Sequence, residues 1–444
     1  MARRASGGPS RQTREGMAPA HDLLPDEHFG LAAQDAPRTA SDEELNSRYA
    51  KGDIRIVTES ARYSLAGILA MLQEDVAIED DPKGATERRY KLDPEYQRRH
   101  RWNNQRKSRL IESFLMNIPV PPVFLYERDL ARFEVMDGRQ RLTALAEFYD
   151  NKFALEGLEY WPDLDGRTYS RLPSKVRDGI DRRYISSIIL LKETAVGEEQ
   201  ASFLKKIVFE RLNSGGVKLS PQETRNAVYA GPLNQLCLRL SDNERFRRMW
   251  GIPNQVEEPR PDEDELDDGD EAEASTTTLS GRRMFEKMED VELILRFFAY
   301  RHIQKSKAGL NKINEFLDNF LRVGNKFPTS VLSEYENAFA KTIDFLFECL
   351  GTDAFAVISE RRQLRPTKIV YDPIMFVANA SDVVEARPKI RLKKAVLREA
   401  LAAMYAEDRT GPQPSFAGRR TNSSDIQNRN KAMRAAFETV LQRV

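Results

Sequence analysis

A charged motif lies where a strand-like run meets a helical pattern, in the segment 132–150 (RFEVMDGRQRLTALAEFYD). The apolar run stops at Asp137-Gly138, and apolar residues recur at helical spacing from Leu142 onward. The first amides of a helix lack intrahelical acceptors and carry partial positive charge, so this junction could bind an anion. Arg141 could add a forked, charge-assisted pair to a phosphate. The residues alone favour the simpler interpretation, an ordinary strand-to-helix connection with a solvated arginine.

Other common chemistries lack the residues they need. The chain has four histidines and two cysteines, without a Cys pair or a His–His spacing suited to zinc. An HNH-type nuclease needs a general-base histidine near metal ligands, which this sequence does not offer. The sequence also lacks a GxxxxGK[ST] motif and a Ser-His-Asp arrangement. A zinc site, a P-loop enzyme and a serine hydrolase are therefore not expected.

Further polar residues in the N-terminal half could complete a phosphate site. They are Tyr96, Gln97, Arg98, Trp102, Arg139, Gln140, Glu210 and Asn213. Arginines suit phosphate, Glu210 and Asn213 could hold a hydrated magnesium, and Asp137 could steer a water or a metal. Each residue also has an ordinary explanation, because Trp102 could be a core anchor and Asn213 a turn former.

Short strands and helices are predicted around the motif. Residues 123–126 and 133–136 predict a β-hairpin that leads directly into it. Ser220 followed by Pro221 is typical of a helix N-terminus. The other predicted elements of this half are strands in 54–60 and 184–191 and helices in 63–74, from 105 to the Ile118-Pro119 pair that ends it, and 199–209.

The second half of the chain is predicted to be helical. The predicted helices are 233–249, 284–304, 310–322, 331–350 and 390–405. The acidic block within 256–280 is typical of a disordered loop, although it could also mimic nucleic-acid phosphate. We therefore predict a disordered tail at 1–48, an α/β domain at 49–232 and a helical domain at 233–444.

Composition limits the class of protein. The 69 Lys and Arg residues balance the 69 Asp and Glu residues, which excludes a uniformly basic nucleic-acid binder but not a locally basic face. No apolar run is long enough for a transmembrane helix, and the N-terminus has no secretory apolar core. Cys237 and Cys349 lie in apolar helical patterns, as reduced core cysteines do. A cytoplasmic protein without membrane contact is expected.

Three blocks together resemble a known family. They are LDPEYQRRHRWNNQRKSRLIESFLMNIPVPPVFLY, FEVMDGRQRLTALAEFYDNKF and FERLNSGGVKLSPQETRNAVYAG. Their residues and order resemble the domain of unknown function 262 family, the regulatory half of GmrSD-type modification-dependent restriction systems. The resemblance spans roughly residues 54–231, and the helices that follow are similar to the helical half usual in the family. It implies an α+β fold, with an N-terminal ParB/sulfiredoxin-like α/β domain followed by a mostly α-helical domain.

The resemblance also assigns roles to residues. In ParB-like relatives a G-x-x-R-x-x-A segment binds nucleotide phosphate, and Gly138, Arg141 and Ala144 fit it. A Glu-Asn segment helps bind the metal and triphosphate in ParB, and Glu210 and Asn213 match it with a different spacing. The implied catalytic residues are Asp137, Gln140 and Arg141, and the implied metal ligands are Asp137 and Glu210. The implied nucleotide-binding residues are Tyr96, Gln97, Arg98, Gly138, Arg139, Arg141, Thr143 and Asn213.

Two departures from the family stand out. The usual signature is DGQQR, whereas this chain has Arg139 at the first Gln position, an added cation that should keep or raise anion affinity. Many relatives carry a fused HNH-type nuclease domain, and the single histidine of the helical half, His302, does not support one here.

These observations lead to one preferred hypothesis and two alternatives. The preferred hypothesis is a nucleotide-binding, NTP-hydrolysing, DNA-directed component of a bacterial phage-defence or restriction system, with Mg²⁺ and a nucleoside triphosphate as ligands. The alternatives are a metal-dependent nuclease that uses the same cleft and a non-catalytic DNA-binding scaffold. DNA and a separately encoded effector are the expected partners, and homo-oligomerisation is left open.

Overall fold

The computed structural model describes most of the chain. The described residues are 24, 26–27, 29, 41–51, 56–77, 85–92, 102–192, 198–212, 220–253, 277–305, 313–359, 364–411, 414–416 and 423–442. They form two compact units. The sheet unit comprises Ala32–Leu238 and Ile252–Val291, and the helical unit comprises Met1–Leu31, Arg239–Gly251 and Glu292–Val444.

The sheet unit is built on a five-stranded mixed sheet of order β1-β7-β5-β6-β4. Its strands are β1 (Thr58–Ser64), β4 (Tyr90–Lys91), β5 (Val123–Asp129), β6 (Arg132–Asp137) and β7 (Tyr184–Leu190), and a separate pair is β2 (Asp75–Ala77) with β3 (Thr86–Arg88). The β1/β7 and β5/β6 pairs are antiparallel, whereas β5/β7 and β4/β6 are parallel. The β5–β6 hairpin therefore lies inside the sheet, and β6 ends at Asp137.

Several helices of the sheet unit share an apolar core with this sheet. Those of the sheet unit are α1 (Asp42–Lys51), α2 (Ile68–Gln73), α3 (Asn104–Leu115), α4 (Arg139–Tyr149), α5 (Ser174–Asp181), α6 (Glu198–Leu212), α7 (Pro221–Val228) and α10 (Leu279–Glu286). Leu142, Leu145 and Phe148 of α4 are fully buried against Ile111 and Val123. The three α4 residues follow helical spacing, so their burial fixes one face of α4 on the core.

The remaining helices belong to the helical unit or include residues of both units. They are α8 (Pro232–Leu240), α9 (Glu244–Trp250), α11 (Glu289–Ala299), α12 (Ile313–Gly324), α13 (Thr329–Leu350), α14 (Lys368–Ala378), α15 (Ser381–Leu392), α16 (Lys394–Thr410) and α17 (Ser423–Leu441). None of the described helices is long and apolar enough to cross a lipid bilayer. Cys237 and Cys349 are buried and unbonded to each other, as predicted, and burial raises the pKa of Cys349 to about 11.

The predicted α+β class is confirmed, with a sheet in the N-terminal half and a mostly helical remainder. Several segments of the structure differ from the sequence prediction. Helix α1 forms at Asp42–Lys51, inside and beyond the predicted disordered tail. Helix α10 begins at Leu279, inside the predicted acidic loop, because Thr278 caps its N-terminus by accepting the Gly281 amide. The helix predicted at 233–249 is two helices, because Asn243 caps a new one.

The domain boundaries predicted from composition remain predictions. The predicted split at 232/233 does not coincide with the division of contacts, which groups Ile252–Val291 with the sheet. Most of the predicted acidic loop, residues 256–276, lies outside the described residues.

Candidate functional site

The junction between β6 and α4 requires glycine at position 138. Gly138 is the N-cap of α4 with φ 90° and ψ 10°, a left-handed conformation that side-chain-bearing residues rarely adopt. A Cβ atom there would lie 2.5 Å from Cγ1 of Val123 on β5. Both the backbone conformation and the tight packing against β5 therefore exclude a side chain.

Arg141 is held in place directly above this turn. Its Nη2 donates to Asp137 Oδ2 at 2.7 Å, and its Nη1 donates to the Pro121 carbonyl oxygen at 2.6 Å. The Arg141 side chain is 12% exposed and that of Asp137 is 39% exposed. A Cβ on Gly138 would lie 3.0 Å from Arg141 Nη2, so the guanidinium covers the glycine.

The start of α4 adds backbone donors beside this cation. The Leu142 amide makes an intrahelical bond to the Gly138 carbonyl at 2.9 Å, so the amides of residues 139–141 precede the regular helical ladder. Gly138 has no side chain with which to cap them. A guanidinium and uncapped helix amides therefore lie side by side, an arrangement that favours an anion.

Other motif residues surround this pair. The backbone amide of Trp102 approaches the Gln140 side-chain oxygen at 3.4 Å, which links the motif to the start of the α3 segment. The Trp102 ring lies 5.0 Å from the Arg106 guanidinium. Arg139 and Thr143 are half-buried on the first turns of α4. The structure thus brings Asp137, Gly138 and Arg139–Thr143 together on one short segment.

Of the remaining predicted site residues, the structure describes Glu210. Tyr96, Gln97, Arg98 and Asn213 lie outside the described residues. Glu210 is exposed on α6 and pairs with Lys206 at 3.8 Å, and no contact with Asp137 is recorded among the described residues. Within that same part of the chain, no group of three or more His, Cys, Asp or Glu side chains could hold a metal ion.

Helix α6 is nevertheless fixed to the strand that ends in Asp137. Lys205 Nζ donates to both carboxylate oxygens of Glu134 on β6, at 2.7 and 2.8 Å. The Lys205 and Glu134 side chains are only 9% and 14% exposed, so solvent screens this ion pair weakly. Glu210 lies five residues further on, about 140° around the helix from Lys205. The Glu210 carboxylate therefore lies off the face of α6 that contacts β6.

The far end of α4 is anchored independently. The Tyr149 hydroxyl donates to Asp181 Oδ1 at 3.0 Å, and the Tyr169 hydroxyl donates to the same carboxylate at 3.0 and 3.1 Å. Burial and the neighbouring Asp181 carboxylate raise the pKa of Tyr149, so its hydroxyl stays protonated and remains a donor. Because both ends of α4 are fixed, its N-terminal amides are held rigidly.

The predicted family is found where the motif lies. Residues 83–230 match the GmrSD restriction endonuclease, N-terminal domain. The match confirms the resemblance for this GmrSD-type segment, which covers about a third of the chain and includes the whole β6–α4 junction. No curated protein matches the chain significantly. The segment identifies a restriction-type domain, of the kind found in components of restriction and phage-defence systems.

Two contacts of the GmrSD-type segment were not predicted from its sequence. They are the Pro121 carbonyl that Arg141 binds and the Val123 side chain that packs on Gly138. Both belong to the PVPPV run that leads into β5. The Pro-Pro pair in this run is a sequence signal for a turn or loop. It does not indicate which residues of α4 or of the glycine turn the run will contact.

Proposed function

We propose that the β6–α4 junction binds the phosphates of a nucleoside triphosphate, and that this chain is an NTP-hydrolysing, DNA-directed component of a restriction or phage-defence system. The observation that carries the proposal is the Arg141 guanidinium lying over Gly138 at an uncapped helix N-terminus. The restriction-type family of the segment supports the biological setting. We also propose that the sheet unit has a ParB/sulfiredoxin-like fold and that the protein is cytoplasmic. Its proposed partners are DNA and a separately encoded effector.

The charges around Arg141 fit a phosphate ligand. An arginine has five N–H donors, and its bonds to Asp137 and Pro121 engage two of them. The remaining donors can turn to an anion bound at the amides of α4. The Asp137 carboxylate compensates the guanidinium charge before ligand arrives, so the cation costs less to keep half-buried.

Asp137 also fits a Mg²⁺ ion that arrives with the nucleotide. Its carboxylate is partly exposed, and Mg²⁺ commonly binds one or two carboxylates together with phosphate oxygens and waters. Such an ion would supply charge neutralisation at the phosphates. We do not propose Glu210 as a second Mg²⁺ ligand, because its side chain is exposed and pairs with Lys206.

One observation favours a competing function. Both partners of Arg141 belong to the protein itself, which is also what a purely structural arginine would show. In that case the junction would serve only to lock β5, β6 and α4 together within a DNA-binding scaffold.

A nucleotide panel separates these functions. ATP, GTP, CTP and UTP would be titrated onto the full chain, and phosphate release measured with and without DNA. We expect at least one nucleotide to bind and to be hydrolysed, and Arg141→Ala to weaken binding about tenfold to a hundredfold. Absence of binding by every nucleotide, together with salt-sensitive DNA binding, would support the scaffold instead. Metal-dependent DNA nicking lost in Asp137→Ala would support a nuclease.

A further inference from the structure

A short piece of the N-terminal region is inserted into the helical unit. The Glu27 side chain is fully buried there. Its carboxylate accepts bonds from His302 Nε2 and from the Tyr335 hydroxyl, both at 2.5 Å. Arg301 pairs with the other carboxylate oxygen at 3.4 Å. The sequence predicted a disordered tail here, because residues 1–48 lack apolar periodicity.

A second anchor lies two residues further along the chain. The Phe29 ring makes edge-to-face contacts with His302 at 5.0 Å, Phe320 at 5.2 Å and Phe316 at 5.9 Å between centroids. Such contacts add to the energy of burying the ring. Together Glu27 and Phe29 form a Glu-x-Phe motif, with one charged anchor and one aromatic anchor.

The pocket that receives this motif is built by rigid helical elements. Arg301 and His302 lie in the 3₁₀ helix Tyr300–Lys305, Phe316 and Phe320 on α12, and Tyr335 on α13. Tyr335 is stacked on Phe298 at 4.4 Å, which holds its hydroxyl in position. The Arg301 and His302 side chains are 7% and 2% exposed. Arg301, His302 and Tyr335 all contact the same carboxylate, so this pocket is suited to an acidic ligand.

The inserted segment carries its own conformation. The Glu27 amide donates to the Leu24 carbonyl at 3.1 Å, and the Leu24 amide donates back to Glu27 Oε2 at 3.1 Å. Asp26 has φ 66°, the left-handed conformation of a tight turn. These bonds are all local, so a short peptide of this sequence can present the same turn without the rest of the chain.

We propose that this pocket is a peptide-recognition site for an acidic–aromatic Glu-x-Phe segment, and that the chain's own residues 24–29 occupy it as an exchangeable ligand in cis. The pocket combines a buried cation, a hydroxyl donor and an aromatic wall, which together select this chemistry. The resident segment belongs to the same chain as the pocket, so a segment of the same chemistry supplied in trans must compete with it.

The test uses the full-length chain and a fluorescein-labelled peptide of residues 22–31, DLLPDEHFGL. In the variant carrying both Glu27→Ala and Phe29→Ala, the resident segment lacks its anchors and the pocket is open. We expect this variant to bind the peptide at least tenfold more tightly than the wild-type chain does, measured by fluorescence polarisation. Peptides with Glu→Gln or Phe→Ala at the anchor positions should each bind at least tenfold more weakly.

A matched substitution tests the pocket itself. Tyr335→Phe, added to the open variant, removes only the hydroxyl that reaches Glu27 and keeps the ring on Phe298. It should weaken the unmodified peptide severalfold without affecting the Glu→Gln peptide. Equal weakening of both peptides would contradict the proposed recognition of the carboxylate.

If the open variant fails to fold, hydrogen–deuterium exchange on the wild-type chain tests the proposal instead. An excess of the unlabelled peptide should accelerate exchange in residues 24–29 while leaving α13 unchanged. Exchange in residues 24–29 that is as slow as in α13 and insensitive to the peptide would overturn the proposal. The segment would then be a permanent part of the helical unit.

Discussion

Two arginines near opposite ends of β6 are held in nearly the same way but in different surroundings. Arg132 donates to the Ala77 carbonyl at 2.7 Å and pairs with Glu87 at 3.6 Å and with Asp129 at 3.8 Å. Arg141 binds one backbone carbonyl and one carboxylate. Their side chains are 14% and 12% exposed. We call these sets the Arg132 cluster (Ala77, Glu87, Asp129, Arg132) and the Arg141 cluster (Pro121, Asp137, Gly138, Arg141).

What differs is the backbone beside each guanidinium. The Arg132 cluster joins the β5–β6 hairpin to β2 and β3, and its backbone groups belong to strands. The Arg141 cluster lies over a left-handed glycine and the N-terminal amides of a helix whose N-cap residue has no side chain. An arginine with a carbonyl and a carboxylate partner is therefore not by itself a sign of a phosphate site. The neighbouring helix amides distinguish the two.

The largest effect is expected from Gly138→Ala. A left-handed conformation costs a side-chain-bearing residue about 1–2 kcal/mol, and the collision with Val123 adds about 1–3 kcal/mol. The junction should lose both stability and its alignment with Arg141, so nucleotide binding should fall by about a hundredfold or more. Thermal unfolding and nucleotide titration measure the two effects.

Gly166→Ala is the matched control for that substitution. Gly166 also has a positive φ, of 77°, but a Cβ there meets nothing within 4 Å. It should therefore lose only the conformational part of the stability, about 1–2 kcal/mol, and keep nucleotide binding. Equal losses of nucleotide binding in the two variants would show that general destabilisation, and not the Arg141 cluster, controls binding.

A smaller effect is expected from Asp137→Asn, which removes the carboxylate charge but keeps an acceptor for Arg141. Nucleotide binding in EDTA should strengthen about threefold, because the guanidinium is no longer neutralised by its neighbour. The increase in affinity that Mg²⁺ gives to the unchanged chain should disappear. Titrations with and without Mg²⁺ measure this difference, and an unchanged Mg²⁺ dependence would remove Asp137 from any metal site.

The smallest effect is expected from Arg139→Gln, which restores the usual DGQQR signature of the resembled family. One partly exposed cation near the phosphates is worth about 0.3–0.5 kcal/mol, so nucleotide affinity should fall about twofold. The loss should shrink as salt is added, since exposed charges are screened. Titrations at low and high salt test this, and a salt-independent loss would assign Arg139 a direct contact instead.

Elements that depend on neighbouring residues could be predicted from the sequence. Elements that depend on pairing with distant parts of the chain could not. The β5–β6 hairpin and α4 follow from alternating and helical apolar patterns, and they form at Val123–Asp129, Arg132–Asp137 and Arg139–Tyr149. Strand β4 has only two residues, too few for any periodicity. The strand predicted at 54–60 forms at Thr58–Ser64, because its pairing with β7 sets its extent.

Side-chain partners were predictable only when they were close in the chain. The capping box at Ser220 follows from its S-x-x-E spacing, and the structure contains both of its bonds to Glu223. The contact between Arg141 and Pro121 spans 20 residues and depends on how β5 and α4 pack. The insertion of Glu27 beside His302 spans 275 residues, and nothing in a polar segment without periodicity indicates it.

The most direct test compares Arg141→Ala with Arg132→Ala in a single nucleotide titration. Both substitutions remove a guanidinium of nearly equal exposure that binds one backbone carbonyl and pairs with at least one carboxylate, so their stability losses should be similar in thermal unfolding. We predict that Arg141→Ala weakens nucleotide binding about tenfold to a hundredfold while Arg132→Ala changes it less than about twofold. Equal affinities in the two variants, whether both retained or both lost, would contradict a phosphate site at the β6–α4 junction.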